Sequence, residues 1–556
     1  MKSRWWKEAV AYQIYPRSFY DSNGDGIGDL KGIIEKLDYL KEFGVDVLWV
    51  NPIYQSPNDD NGYDISDFYA IMDEFGTMDD FENLLKEVHN RGMKIILDLV
   101  VNHTSDEHEW FMESRSSKDS PYRDYYIWHP GKPDGSLPNN WESFFGGSVW
   151  QYDEQTEEYY MHIFSKKQPD LNWENAEVRD KLYEMVNWWL DKGIDGFRVD
   201  AITHIKKIDG FPDLPNPQNR KFVQSNAGHA NQPGIDVFLS EFVERTVKNY
   251  DVMTVGEAGG ATFENARHWV DQDKGYFDMI FQFEHLGLWK ADDGSLDIDA
   301  LRTAMSKWQT GLEGKGWNAL FLENHDQPRS VSTWGNDKDL RKTSAKALAT
   351  FYFLMQGTPF IYQGQEIGMT NVRFDSIDEY SDSGIVNLYE YETGNGRTHE
   401  EMMKYIWKNG RDNSRTPMQW SSEPQAGFTT GTPWFGVNPN YPDINVEESV
   451  NNPDSIYHYY KKLIELRKDL PALIYGKYEL IAKEHSQVYA YLRKYKEECY
   501  AVIVNLLDEE TDFYLQDGLT CENLLLSNYS REDVLGSAMH LQPFEARVYK
   551  VMNQSN

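Results

Sequence analysis

Cysteine is scarce. The 556 residues hold only Cys499 and Cys521, both near the C-terminus and neither in a metal-type spacing. A disulfide framework and a cysteine metal site are excluded, and free thiols in a reducing compartment are expected, a single Cys499–Cys521 disulfide being the alternative. Long apolar runs are missing as well. The longest, "ALATFYFLM" from Ala347 to Met355, is far shorter than a bilayer span. The start, "MKSRWWKEAVAYQIYPRSF", lacks the apolar core and cleavage site of a secretion signal. A soluble, cytoplasmic protein with no membrane partner is the expectation. Positive charge is short too: 55 Lys and Arg stand against 90 Asp and Glu, a formal charge of −35. Such a surface repels phosphate backbones, so nucleic acid is not an expected partner. No internal repeat or low-complexity stretch is visible.

What is present is a globular composition, 40% hydrophobic and 14% aromatic, with 18 Trp and 35 Tyr. Aromatics in this number fill cores, and they also suit a surface on which sugar rings stack. The length calls for two or three domains.

Short apolar runs alternate with amphipathic stretches. "AVAYQIY", "DVLWVN", "KIILDLVVN", "DGFRVD", "VMTVGE", "MIFQF", "NALFLEN" and "PFIYQG" have strand character. Most are followed by a helical pattern, such as "LKGIIEKLDYLKEFG", which Gly44 stops, and "MDDFENLLKEVHNRG", which Gly92 stops. Alternation on this scale predicts parallel strands joined by crossover helices, and eight strands predict a closed (β/α)8 TIM barrel. Two stretches break the rhythm. Residues 104–175 form too long a connection to be structureless and are read as a small inserted domain after the third strand. Past residue 470, "KYELIAKEHSQVYAYLRKYKEECYAVIVNLL" alternates in period two. That predicts a C-terminal antiparallel β-sandwich over 471–556, with barrel segments at 1–103 and 176–470.

In such barrels chemistry sits where strands end. The third strand carries Asp98 and is followed by His103. The fourth carries Arg198 and Asp200, two apart and so on one face. The fifth ends at Glu257, and the seventh is followed by His325 and Asp326. One charge at a strand end is usually a helix cap or a solvated turn. Several around one rim cost stability and are kept mainly at functional sites. Arg198 beside Asp200 is expected to hold that carboxylate ionised, as a nucleophile requires. A less well paired Glu257 is expected to keep its proton and act as an acid. Two carboxyls with split roles describe glycoside cleavage.

The motifs "DLVVNH", "GFRVDAITH", "TVGEA" and "FLENHD" occur in the order and at the strand positions of the α-amylase superfamily of glycoside hydrolases, which the chain resembles over its whole length. "QPDLNWEN", "AYQIYPRSFYDSNGDGIGDL" and "RDNSRTPMQW" are similar to the oligo-1,6-glucosidase and α-glucosidase branch. The resemblance implies Asp200 as nucleophile, Glu257 as general acid/base and Asp326 as the third carboxylate gripping ring hydroxyls. It implies that His103 and His325 donate to the same sugar and that Arg198 orients the nucleophile. Asp60 and Tyr63 would bind and stack on the terminal glucose, and Arg411 would pair with Asp60 to close the pocket. It thus implies a retaining, exo-acting α-glucosidase on short oligosaccharides, with no organic cofactor, as a monomer or weak homo-oligomer. Ala201, after the nucleophile, departs from the valine that accompanies α-1,6 preference in this branch. With Ala258, Gly259 and Gly260 it points to α-1,4 substrates of maltose type, α-1,6 being retained in part. The alternatives are a strict oligo-1,6-glucosidase, or a glucosyl-transferring enzyme or sucrose isomerase on the same carboxylates.

"YDSNGDGIGDLKG", Tyr20 to Gly32, spaces Asp21, Asn23, Asp25 and Asp29 as a calcium loop does, but Gly32 stands where an EF-hand needs glutamate. An Asx-rich turn is the plain alternative. Relatives in the branch bind calcium in this βα loop. The resemblance therefore implies a structural Ca2+ held by Asp21, Asn23, Asp25, Asp29 and the Ile27 carbonyl.

Overall fold

The computed structural model describes residues 4–288, 296–516, 518–530 and 536–553. Eight strands form one parallel sheet: β1 (Ala11–Ile14), β2 (Val47–Val50), β3 (Lys94–Val100), β4 (Gly196–Asp200), β5 (Met253–Glu257), β6 (Met279–Phe281), β7 (Ala319–Leu320) and β8 (Thr358–Tyr362). Hydrogen bonding runs in the order β6-β5-β4-β3-β2-β1-β8-β7, which curls the sheet into a nearly closed barrel. All eight coincide with the apolar runs of the sequence. Each strand is buried on both faces, which is why the runs are continuous rather than alternating. Inside the barrel Trp49 stacks on Phe281 at 5.3 Å, and Phe281 meets Phe321 and Phe360 edge-on.

The helices follow the predicted spacing with one difference. The stretch after β1 makes two helices, Leu30–Glu35 and Leu37–Phe43, because Lys36 leaves helical geometry at φ −101°, ψ 2°. Gly44 closes the second at φ +103°, a left-handed conformation that costs glycine little. The helix Met78–Asn90 opens with a reciprocal Thr77–Asp80 capping box.

Between β3 and the helix Ala176–Asp191 lies the insertion, with the helix Glu109–Ser116 and a three-stranded antiparallel sheet of Trp128–His129, Glu158–Met161 and Trp150–Asp153. Its last turn is tied back to the barrel rim by an isolated bridge between His103 and Asp170. The buried Lys207 amine bonds Asp170 at 2.7 Å.

The C-terminal unit is antiparallel from Lys477 onward, because a short helix, Pro471–Tyr475, precedes it. Strands β9 (Lys477–Leu480), β10 (Val488–Tyr495), β11 (Glu498–Asn505), β12 (Thr511–Tyr514), β13 (Leu519–Ser527), β14 (Ala538–Leu541) and β15 (Ala546–Asn553) form two sheets. These are β9-β10-β11-β15-β13 and the pair β12-β14. Period two is visible in β10. Tyr489 and Tyr491 join the barrel core, while Val488, Ala490 and Leu492 face the second sheet. Cys499 and Cys521 are both free thiols. No described helix is long and apolar enough to cross a membrane.

Candidate active site

Strand register brings the charges together. On adjacent strands Arg198 of β4 lies opposite Asp98 of β3, and Val199 lies opposite Gly256 of β5. One residue further along, Asp200 and Glu257 are therefore neighbours at the two strand ends. Adjacent strands are about 4.8 Å apart, so the register alone sets these carboxyls a strand spacing from each other.

The centre is the Arg198 guanidinium, almost fully buried. Its Nη1 bonds Asp98 at 2.5 Å and Asp200 at 2.7 Å, and its Nη2 meets Glu257 at 2.9 Å. The cation lies over the rings of Trp49 and Tyr63 at 5.3 and 5.9 Å. Glu257 also accepts the Ala201 amide at 2.9 Å. Ala201 adopts φ +45°, a left-handed conformation in a residue with a Cβ, as strained residues at active sites often do.

Two expectations about these carboxyls need correction. Arg198 is not private to Asp200 but shared by three carboxylates. Burial outweighs it and pushes Asp200 up to about 6 and Asp98 to about 6. Glu257 is not poorly paired, since it bonds the same arginine. Burial, against Arg198 and with the Asp200 charge, carries it to about 7. The split of roles survives: near neutral pH Asp200 is the more ionised and Glu257 the more protonated of the two.

The third carboxylate behaves oppositely. Burial alone would raise Asp326, but His325 at 3.0 Å, Arg411 at 3.3 Å and Arg415 at 2.8 Å hold it well below the usual carboxylate range. Gln13 lies 2.8 Å from His325 Nδ1 and donates to it, which leaves the Nε2 proton for Asp326. His325 stacks flat on Tyr63 at 5.3 Å. The Tyr63 hydroxyl is held by Asn51 at 2.7 Å and donates to Asp98 at 3.2 Å. His103 is driven down to about 4 by burial, so it is neutral, with Nε2 3.1 Å from the Tyr63 carbonyl and 3.2 Å from Gln168.

Asp60, Tyr63, His103, Asp200, Ala201, Glu257, Asp326 and Arg411 line one cavity of about 360 Å3. Arg198 stands one layer behind. The Arg411 pairing differs from expectation. Its Nη2 is 3.6 Å from Asp60, a loose contact, whereas Nε and Nη2 grip Asp382 at 2.8 and 2.6 Å. Asp382 caps the helix Ser383–Gly394, so that helix and the pocket-closing arginine form one unit. Burial raises Asp60 to about 7 despite Arg411 and Arg415, and Gln168 donates to it at 3.1 Å.

Asp382, Arg415 and the aromatic wall of Phe144, Phe145, Phe164 and Phe283 were not foreseen as site residues. They come from loops and irregular segments, where no periodicity marks a side chain as facing the pocket. Arg415 alone had a signal, since it lies within "RDNSRTPMQW".

In the loop after β1 the oxygen-only donor set suits a hard cation. Asp21 accepts the amides of Asn23, Gly24 and Gly26. Asp25 accepts those of Ile27 and the Asn23 side chain, and Asp29 bonds Ser22 while capping the next helix at Gly32. Every carboxylate oxygen of Asp21, Asp25 and Asp29 thus has a donor. Among the described residues no three His, Cys, Asp or Glu groups converge as a metal site.

The family described as "Alpha amylase, catalytic domain" matches residues 13–476. The chain is 56% identical over 553 residues to the probable oligo-1,6-glucosidase 3 of Bacillus subtilis, covering 99% of this chain and 100% of the relative. Among solved structures it resembles the trehalose-6-phosphate hydrolase of Bacillus licheniformis, with 46% identity and a TM-score of 0.93 over 99% of this chain and 100% of that one. It also resembles the isomaltulose synthase of Protaminobacter rubrum, at 44% identity and a TM-score of 0.95 over 100% of both chains.

Proposed function

Since the chain belongs to the alpha-amylase catalytic-domain family and is a glycoside hydrolase, we propose that it is an exo-acting, retaining α-glucosidase that removes single glucose units from the non-reducing ends of short oligosaccharides. The observation that carries this reading is the sharing of Arg198 by Asp200 and Glu257 at the ends of adjacent strands. Inverting enzymes hold their carboxyls roughly 6.5–9.5 Å apart to admit a water, and retaining ones about 5–5.5 Å. Carboxyls on neighbouring strand ends suit the second case.

Glu257, which burial keeps protonated to about pH 7, gives its proton to the glycosidic oxygen. Asp200 attacks the anomeric carbon and forms the glycosyl-enzyme, while Arg198 keeps its second oxygen in place. Glu257, now ionised, takes a proton from water, and that water releases glucose with the starting configuration. Asp326, ionised throughout, holds ring hydroxyls. Asp60 and the Arg411–Asp382 unit close the far end of the cavity, which fits one terminal sugar.

On the leaving-group side the wall is small: Ala201, Ala230, Gly259 and Gly260. That room favours α-1,4 links of maltose type. The relative named oligo-1,6-glucosidase supports α-1,6 cleavage as well, so both are assigned, maltose first. Among the described residues Arg411 is the one cationic side chain in the lining, and Asp382 engages it. A phosphorylated sugar therefore finds no free charge there, which favours unphosphorylated substrates. A second reading, transfer of glucose to a sugar instead of water, rests on the lining phenylalanines Phe144, Phe145, Phe164 and Phe283, on which an acceptor sugar could stack.

The test is kcat/KM for maltose, isomaltose, panose, sucrose, trehalose and trehalose 6-phosphate, with products identified. Maltose is expected to lead. Isomaltose ahead of maltose by tenfold would reverse the linkage assignment, and an isomeric disaccharide from sucrose would install the second reading. We further propose that the Asp21–Asp29 loop takes a structural calcium ion. EDTA should then lower Tm and calcium restore it, whereas an unchanged Tm together with no calcium in the purified protein would discard the site.

A further inference from the structure

Behind one wall of the pocket run three linked hydrogen bonds that the hydrolytic steps leave unused. The Ser225 hydroxyl donates to the Glu142 carbonyl at 2.6 Å, and its oxygen lies 2.9 Å from His229 Nε2. A carbonyl can only accept, so the single Ser225 proton is committed and His229 Nε2 must be the donor. Burial pushes His229 well below the ordinary histidine range and His204 down to about 3, with the Lys207 charge acting in the same direction. Each ring therefore carries one proton. His229 Nδ1 is then a bare acceptor, and it lies 2.9 Å from His204 Nδ1, which must donate.

His204 Nε2 is left as a lone pair. It has no hydrogen-bond partner among the described residues, and a Cβ placed on Gly259 would come within 3.8 Å of it. Both His204 and Gly259 line the cavity beside Ala201, on the leaving-group side. His204 follows Asp200 by four residues in a short turn, so the acceptor is fixed relative to the nucleophile.

We propose that Ser225 and His229 are positioning residues that keep the His204 proton on Nδ1, so that His204 Nε2 accepts a hydrogen bond from a hydroxyl of the departing sugar. The inference rests on the α-glucosidase reading and deepens it. It assigns a preference for leaving groups that carry a hydroxyl near the scissile bond over aryl groups that carry none. A buried acceptor left without its donor loses its water and gains nothing, which is how such sites discriminate.

The experiment compares kcat/KM on maltose and on p-nitrophenyl α-glucoside for the wild type, His204→Phe, His229→Phe and the double variant. Phenylalanine at 229 is matched to its surroundings, Trp141 and Phe144. The maltose-to-aryl ratio is expected to fall about fivefold in each single variant, the size of one lost hydrogen bond. It should fall no further in the double, because His229 acts through His204. An unchanged ratio in His229→Phe, or effects that multiply in the double, would overturn the proposal. Histidine 15N shifts of the wild type supply a readout that needs no variant to fold. A protonated Nδ1 and bare Nε2 at His204 are expected, and the reverse tautomer refutes the proposal. Absence of hydrolysis of both substrates by the wild type would instead refute the α-glucosidase reading, and the tautomer would still be measurable.

Discussion

Replacing Asp200 by asparagine should abolish turnover and yet stabilise the protein at alkaline pH. Burial lifts the Asp200 carboxyl from 3.8 to about 6. An acid whose folded pKa is raised binds its proton more tightly in the folded state. Stability is therefore lost as pH rises from about 4 through about 6, and at pH 8 the loss is complete. A rise of about two pKa units corresponds to roughly 3 kcal/mol. Asparagine keeps the oxygen that accepts from Arg198, and Arg198 keeps Asp98 and Glu257 as partners, so the substitution removes the charge without orphaning the guanidinium. For a chain of 556 residues, with an unfolding entropy of about 2.1 cal/mol/K per residue, the gain amounts to roughly 2–3 °C in Tm. Calorimetry of both proteins at pH 8 and pH 4.5 reads it. Asp200→Asn should melt higher at pH 8, and the gap should shrink to about a third at pH 4.5. An equal gap at both pH values, or a variant that melts lower at pH 8, would refute the claim that the site holds its nucleophile at the expense of stability.

Other expectations follow from the same geometry. The kcat/KM profile should be bell-shaped, with limbs near pH 6, below which Asp200 is protonated, and near pH 7, above which Glu257 loses its proton. The limbs belong to the coupled pair, and a profile flat from pH 5 to 8 would contradict the assignment. Ala201→Val puts a β-branched residue at φ +45°, so Tm should drop, and the narrowed wall should shift the maltose-to-isomaltose ratio towards isomaltose by up to about tenfold. Asp382→Asn weakens the grip on Arg411 and should raise KM for maltose at least about tenfold. An unaltered KM would show that Arg411 closes the pocket unaided.

The barrel was legible because every strand is buried on both faces and reads as an unbroken apolar run, as in "KIILDLVVN". Strand ends then located Asp98, Asp200 and Glu257 without any distance being known. What could not be read are pairings across the chain. Asp382 meets Arg411 from 29 positions away, and Arg415 meets Asp326 from 89. No periodicity links such residues, because loops carry them. The left-handed turn at Ala201 was equally hidden, since alanine does not advertise a positive φ as glycine does. The split at Lys36 shows the limit of helical spacing: Leu30, Ile33, Leu37 and Leu40 keep one buried face while the backbone breaks between them.

Proton NMR of the first glucose released from p-nitrophenyl α-glucoside, whose leaving group is not a sugar, tests the pairing of Asp200 and Glu257 most directly. Two carboxyls one strand apart predict the α-anomer as the initial product, with the β-anomer appearing only later by mutarotation. Initial release of β-glucose would contradict the account.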